Sequence, residues 1–390
     1  MDLALNVTDD VKQALPIRLT KAFLAVSTEK LKRPSTTYNI SCELWHDAIP
    51  MILPNLLKFL RHAHGFHNPA NWQGLPPALQ PVVRRILTDR FWQAGISTGS
   101  RDEFYENVTK TKTTMEGLAS SIRGAIRMVR ESCYSILWCM SRLDVHFYGL
   151  EELPGPLAMA LFDDAHSLSS HQLSILLNMT RYIIDDCPTT HRSHFLTPLL
   201  ASLFAQVDRK ISGEWSELIE RGQVSQSGDD QLAEEMKEES ILRQLTYTAV
   251  LIVAGLLDPQ RPNESGMGAS GVFSQLAPPS ELQSQSGVGG EQTMREFILG
   301  SDSVLEPLIR FCTHALRMRD SRSCGIIIRV FRSIVPEFQA DRADIREFIC
   351  REVFVACIDV SSTLLSCAPW TSLSARDANS VVVTARRLLC

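Results

Sequence analysis

Five basic residues between positions 110 and 130 have a spacing that could bind phosphate groups. They are Lys110, Lys112, Arg123, Arg127 and Arg130. The three arginines follow steps of four and three, which place their side chains on one face of a helix, away from its apolar stripe. Guanidinium groups bind carboxylates and phosphates with paired hydrogen bonds, so this row would suit acidic peptides, phosphoproteins or RNA. The alternative is a solvated face with ion pairs inside the repeat, for instance with Glu131.

Other motifs with possible chemistry lack the residues around them that such chemistry needs. His62, His64 and His67 are spaced so that they could bind zinc, but no Cys, Asp or Glu lies nearby in the sequence, and we expect a solvated helix end. Residues 266–271 match GxGxxG, but they lie in a Gly- and Ser-rich stretch where no helix can begin. The ten cysteines form no CxxC pair. We therefore expect no catalytic residue, no metal site and no cofactor.

Helices must position these residues, because apolar side chains recur at helical spacing along nearly the whole chain. The clearest stripe, with steps of four and three, consists of Leu118, Ile122, Ile126, Val129, Cys133, Ile136 and Met140. Similar stripes cover 173–187, 195–218, 241–256, 305–316, 326–334 and 345–360. No convincing period-two alternation accompanies them. The helices recur in pairs at a spacing typical of HEAT or armadillo repeats. We predict an all-α fold, a HEAT-repeat-type α-solenoid of stacked antiparallel helix pairs; the alternative is an irregular helical globule.

Two segments have a composition that opposes packing. Residues 222–240 are polar and acidic, and we expect a loop there. Residues 258–290 contain 20 Gly, Ser, Pro or Gln among 33 residues, which is typical of a disordered linker. The predicted organisation is therefore a helical array over residues 1–257, the linker, and C-terminal helical repeats over residues 291–390.

Charge and hydropathy exclude several classes of protein. The net charge is −5, and residues 213–240 hold nine Asp and Glu against two Lys and Arg, a net of −7, which leaves +2 for the remainder. This balance argues against an autonomous nucleic-acid binder. The longest clean apolar run, residues 249–257, is too short to cross a membrane, and the N-terminus does not resemble a signal peptide. We expect a reduced intracellular protein without membrane insertion.

Several strings within residues 80–360 resemble the exportin-5 branch of the karyopherin-β nuclear transport receptors. They are FWQAGIS at 91–97, RDEF at 101–104, SIRGAIR at 121–127, RESCY at 130–134, ELPGPL at 152–157, FLTPLL at 195–200, EW at 214–215 and ILRQL at 241–245. An acidic insert precedes the last of these strings, as it does in that branch. The resemblance rests on spaced segments and helix order rather than on a catalytic signature.

The resemblance implies a curved stack of HEAT repeats that shuttles between nucleus and cytoplasm and carries cargo through the nuclear pore. Such receptors bind Ran-GTP together with cargo, which in this branch includes phosphorylated proteins and structured RNAs such as tRNA or microRNA precursors. They catalyse nothing. They are also much longer, so we expect this chain to be a C-terminal portion, with Ran-GTP bound mainly by repeats outside it and with the arginine row facing cargo. The alternative is an α-solenoid interaction scaffold unrelated to transport.

Overall fold

The computed structural model describes residues 36–87, 115–224, 229–257, 293–318, 320–334, 347 and 350–356. These residues are helical almost throughout, and none of them lies in a strand, as predicted. The chain divides into two compact units, Met1–Pro188 and Thr189–Cys390. The first contains seven helices among the described residues: α1 Thr36–His46, α2 Ala48–Gly65, α3 Gln80–Leu87, α4 Met115–Ser141, α5 Val145–Tyr148, α6 Pro154–Phe162 and α7 Ser170–Asp185.

The local sequence explains where α7 begins. Its N-cap, Ser169, accepts a hydrogen bond from the backbone of Gln172, whose side chain bonds back to Ser169 in a capping box. The predicted start near Ser169 is therefore confirmed. The buried face of this helix consists of Leu173, Leu176, Leu177, Met179, Thr180, Ile183 and Ile184, together with Gln172.

Helices in the first unit are antiparallel within a pair and parallel between neighbouring pairs. In α2 and α4, His64 contacts Tyr134 while the later His67 contacts the earlier Arg130, so these helices run in opposite directions. In α4 and α7, Trp138 contacts Tyr182 and Ser141 contacts Asp186, so these helices run in the same direction. Helix α6 packs against α2. This is the arrangement that stacked helix pairs produce.

The described part of the second unit contains two helix hairpins. Its described helices are α8 Arg192–Val224, α9 Asp229–Leu257, α10 Met294–Leu299, α11 Asp302–Arg317 and α12 Ser321–Ile334, followed by a single π turn, Cys350–Phe354. Helices α8 and α9 form one hairpin, α11 and α12 the other, and α10 leads into α11. Asp320 begins α12, because its buried carboxylate accepts hydrogen bonds from the backbone and hydroxyl of Ser323.

Two sets of contacts fix the directions of these helices. Arg221 pairs with Glu238, and the indole of Trp215 donates to Thr246 at 3.0 Å, so α8 and α9 are antiparallel. Four residues of α8 and α11 give the other direction. Phe204 stacks on Phe311 and Asp208 accepts from His314 at 2.7 Å, so α8 and α11 are parallel. Helices α9 and α12 also pack together. Each helix of one hairpin thus stacks on its counterpart in the other.

The acidic segment is largely helical rather than a loop. Helix α8 extends to Val224 and α9 begins at Asp229, so the prediction of a loop over 222–240 is wrong for all but residues 225–228, which lie outside the described residues. The reason is that α9 continues the packed helix Ile241–Leu257 backward, and Glu and Gln are good helix formers. The contacts divide the chain after Pro188. The linker predicted at 258–290 lies outside the described residues and stays a prediction.

One segment, Glu238–Leu257 of α9, is long and apolar enough by composition to cross a membrane. Of its most apolar window, 56% is buried inside the protein. Val250, Val253 and Leu257 are almost completely buried, and α9 packs against α8, α10 and α12. Its apolar character is thus accounted for by packing against other helices.

Arg295 joins the C-terminal ends of two helices in the second unit. Its guanidinium donates to the carbonyl of Leu257 at the end of α9, and to the carbonyl and hydroxyl of Ser333 at the end of α12. A cation at two helix C-termini satisfies their free carbonyls and opposes both dipoles. We expect Arg295→Ala to lower the free energy of unfolding by about 2 kcal/mol. Urea denaturation measures the loss, and Arg310→Ala on the exposed face of α11 is the control; equal effects of the two variants would contradict the prediction.

Candidate functional site

The structure does not place the predicted arginine row on one exposed face. Arg123 is half-buried and its Nε donates to the carbonyl of Ile86 at 2.7 Å, which ties α4 to the end of α3. Arg127 is exposed, with its Nε 3.9 Å from Glu131. Arg130 is buried. Lys110 and Lys112 lie outside the described residues. Cargo binding by this row therefore stays a prediction, but its placement on a shared exposed face is wrong.

The burial of Arg130 follows from a change of environment along α4. The first half of this helix has exposed and half-buried positions, and Leu118, the first residue of the predicted stripe, is 40% exposed. From Ser132 to Ser141 every residue is buried, because α4 packs between α2 and α7. The face that carries Arg130 turns toward the end of α2, where the guanidinium lies 3.4 Å from His67.

A buried polar cluster occupies this contact between α2 and α4. The Nε2 of His64 lies 2.6 Å from the hydroxyl of Tyr134, and both side chains are completely enclosed. Burial lowers the pKa of His64 to about 3, and the positive charges of Arg130 and His67 act in the same direction. Burial raises the pKa of Tyr134 above its usual value. His64 is therefore neutral at pH 7 and shares one hydrogen bond with the hydroxyl of Tyr134.

The three histidines of the HxHxxH motif do not converge on a common point. His62 is exposed and its Nδ1 lies 2.6 Å from the carbonyl of Lys58. His64 is enclosed between helices, so the expectation of a solvated helix end is wrong for this residue, because α2 remains packed to its last turn. Among the described residues, no group of three or more His, Cys, Asp or Glu could hold a metal ion.

The adjacent carboxylates Asp163 and Asp164 tie two helices together, and the thiol of Cys133 is buried. Asp163 pairs with Arg61 at 3.2 Å, and Asp164 accepts from Asn68 at 2.6 Å, which ties the end of α6 to the end of α2. Burial raises the pKa of the Cys133 thiol to about 12. A thiol with such a pKa is protonated at neutral pH and is a poor nucleophile. These groups have structural roles rather than the geometry of an active site.

A different basic face lies on α12, which our sequence reasoning did not single out. Arg322, Arg329 and Arg332 are its only charged residues, and all three side chains are exposed. Their steps of seven and three place them along one side of the helix. The sequence did contain a signal for this face. Arginines occur between the buried positions of α12, and the helix contains no acidic residue. These buried positions include Ile327, Val330, Phe331 and Ile334.

The neighbouring helix positions this face. The guanidinium carbon of Arg322 lies 4.7 Å from the ring centroid of Tyr247 in α9, and its Nε lies 3.9 Å from the buried carboxylate of Asp320. The cation–π contact and the ion pair hold the side chain in place. Leu257 and Ser333 meet at the other end through Arg295, so α9 and α12 run in the same direction. The acidic end of α9, with Glu238 and Glu239, therefore lies beyond the start of α12.

Comparison with known proteins identifies a family. The Exportin-5 family model matches residues 9–364. An uncharacterized protein of Schizosaccharomyces pombe is 31% identical over 363 residues, which cover 90% of this chain and 29% of that protein. Protein MSN5 of Saccharomyces cerevisiae is 27% identical over 362 residues, covering 90% of this chain and 28% of that protein. Exportin-5 of Mus musculus is 23% identical over 209 residues, covering 50% and 17%.

The chain therefore spans less than a third of the length of these relatives. No solved structure matches it. The family's fold is a HEAT-repeat helical solenoid, and the stacked antiparallel pairs described above agree with it, so the predicted fold class is confirmed. With the family model covering most of its length, the chain belongs to the exportin-5 family.

Proposed function

We propose that this chain is part of a nuclear export receptor, which binds cargo together with Ran-GTP and carries it through the nuclear pore. The observation that carries the proposal is the family match over residues 9–364. Exportin family members are transport receptors rather than enzymes. The cargo is a phosphoprotein, a structured RNA such as tRNA or a microRNA precursor, or both. The receptor contacts nuclear pore proteins and shuttles between nucleus and cytoplasm.

The chemistry of the described residues supports a binding role. The buried histidine, His64, is neutral and engaged with Tyr134, and the enclosed thiol of Cys133 is protonated. Stacked helix pairs instead present long rows of side chains to large partners. In such a receptor Ran-GTP and cargo raise each other's affinity by the same factor, because coupling between two binding sites is reciprocal.

The test compares the nucleotide states of Ran. Intact protein purified from its own cells is incubated with cell extract and with Ran loaded with GTP or with GDP. We expect capture of Ran to be about tenfold greater with GTP, and to fall when the extract is omitted. Capture that is the same for both nucleotides would contradict the proposal. It would favour a helical scaffold that is unrelated to transport.

A further inference from the structure

The exposed side of α12 carries three arginines, Arg322, Arg329 and Arg332, which we call the α12 arginine face. We propose that it binds a protein segment carrying two phosphorylated side chains. This inference rests on the proposed function, because it gives that receptor a cargo-recognition surface. It is independent of the arginines of α4.

The arginines have a geometry that suits two phosphates rather than one. Arg322 and Arg329 are seven residues apart, about 10.5 Å along the helix axis. Arg329 and Arg332 are three residues apart and are neighbours on the helix surface. In a polyproline II segment, which has three residues per turn and rises about 3.1 Å per residue, side chains three residues apart point to the same side and are separated by about 9 Å. A segment with phosphoserines at positions i and i+3 therefore places one phosphate at Arg322 and the other between Arg329 and Arg332.

Two features of the neighbouring residues favour phosphate as the ligand. The stacking of Arg322 on Tyr247 and its 3.9 Å ion pair with Asp320 hold its guanidinium in place before any ligand arrives, so less side-chain entropy is lost on binding. Gly325 lies between Arg322 and Arg329 on the same side of α12, and a Cβ built there would meet no atom within 4 Å. The surface between the two phosphate positions is therefore open to a peptide backbone.

The acidic end of α9 argues against an RNA backbone as the partner. Tyr247 fixes the register with Arg322, and Glu239 lies eight residues earlier, about 12 Å along α9. Glu238 is exposed at the same end. Both carboxylates are paired, Glu238 with Arg221 and Glu239 with Arg243, so a polyanion that runs along these helices meets no net positive charge beyond about 15 Å of basic surface. A short segment with two phosphates fits within the basic stretch.

The test uses the intact protein and three synthetic 12-residue peptides of one sequence, with no phosphoserine, one phosphoserine, or two phosphoserines three residues apart. A 20-base-pair RNA duplex is the competing probe. Fluorescence anisotropy gives each affinity. We expect the doubly phosphorylated peptide to bind at least about tenfold more tightly than the singly phosphorylated one, and the unmodified peptide not to bind.

Two variants connect this affinity to the α12 arginine face. Arg329→Gln with Arg332→Gln leaves the contact of Arg322 with Tyr247 intact, and it should reduce binding of the doubly phosphorylated peptide to that of the singly phosphorylated one. Arg310→Gln with Arg317→Gln removes the same charge from α11 and is the matched control, which should bind as the unmodified protein does. Thermal unfolding confirms that both variants are folded.

Three results would overturn the inference. They are equal binding of phosphorylated and unmodified peptides, equal losses in the two double variants, and an RNA duplex that binds more tightly and depends on Arg329 and Arg332. None of these measurements uses Ran or transport. A failed peptide test with normal Ran-GTP capture would thus contradict phosphopeptide binding by the α12 arginine face and leave the export proposal standing. A successful peptide test without Ran-GTP capture would contradict the export proposal and leave the binding by this face standing.

Discussion

Lowering the pH from 7.5 to 5 should cost the first unit about 2 kcal/mol of its free energy of unfolding through His64 alone. The pKa of this residue falls to about 3 in the folded protein, chiefly because it is buried. In the unfolded chain an imidazole has its ordinary pKa near 6.5 and takes up a proton that the folded state cannot hold. Stability is therefore lost as the pH falls below 6.5, and the loss continues until the folded pKa is reached.

Urea denaturation at pH 7.5, 6 and 5 measures the free energy of unfolding of the unmodified protein and of His64→Gln. The difference between the two pH curves gives the contribution of His64. The amide of glutamine can keep a hydrogen bond with Tyr134 but does not titrate. The variant should be less stable at pH 7.5 and should lose less on acidification. His62→Gln, two residues away on the exposed side of α2, is the control for loss of one imidazole. Parallel pH curves for His64→Gln and the unmodified protein would show that His64 is not buried as described.

Phe311→Ala should reduce the free energy of unfolding of the second unit by about 3–5 kcal/mol. The ring of Phe311 is completely buried between α11 and α8, with its centroid 6.3 Å from that of Phe204. Truncation removes buried apolar surface and leaves a cavity that the parallel helices cannot close without shifting. Hydrogen exchange with mass spectrometry, which reports each unit separately, should show faster exchange in α8 and α11.

The control for this truncation is Met236→Ala, since Met236 is 64% exposed on α9 and its removal should change stability by less than about 0.5 kcal/mol. A double-mutant cycle with Phe204→Ala tests the contact itself. The double variant should lose less than the sum of the single losses, because the two rings share one packing site. Additive losses would mean that α8 and α11 do not meet at these residues.

The sequence by itself was sufficient for the family and for most of the helices, though not for the start of α9. Amphipathic stripes depend only on spacing along the chain, so the helices around Leu173 and Phe195 were predicted at the places where α7 and α8 lie. Capping residues such as Ser169 act within one turn and are likewise readable. The resemblance to the exportin-5 branch also depends on the order of local strings, and the family match confirms it.

Tertiary packing decided which charged residues are exposed and which are buried or bonded to another helix. Arg123 and Arg130 have the spacing of a polar face, yet one bonds to a carbonyl of α3 and the other is enclosed beside His67. The acidic residues after Val224 suggested a loop, but α9 extends through them because its later half is held by α8 and α12.

The α12 arginine face shows the same dependence on packing. Whether a helical position faces solvent or a second helix depends on partners about 70 or more residues away in the sequence, such as Tyr247 for Arg322 and His64 for Tyr134. Spacing along one helix indicates which side chains lie on the same side of it. It does not indicate which side is buried by a neighbouring helix. The sequence thus determined most of the helices and the family, and only the packing of those helices decided which arginines can meet a partner.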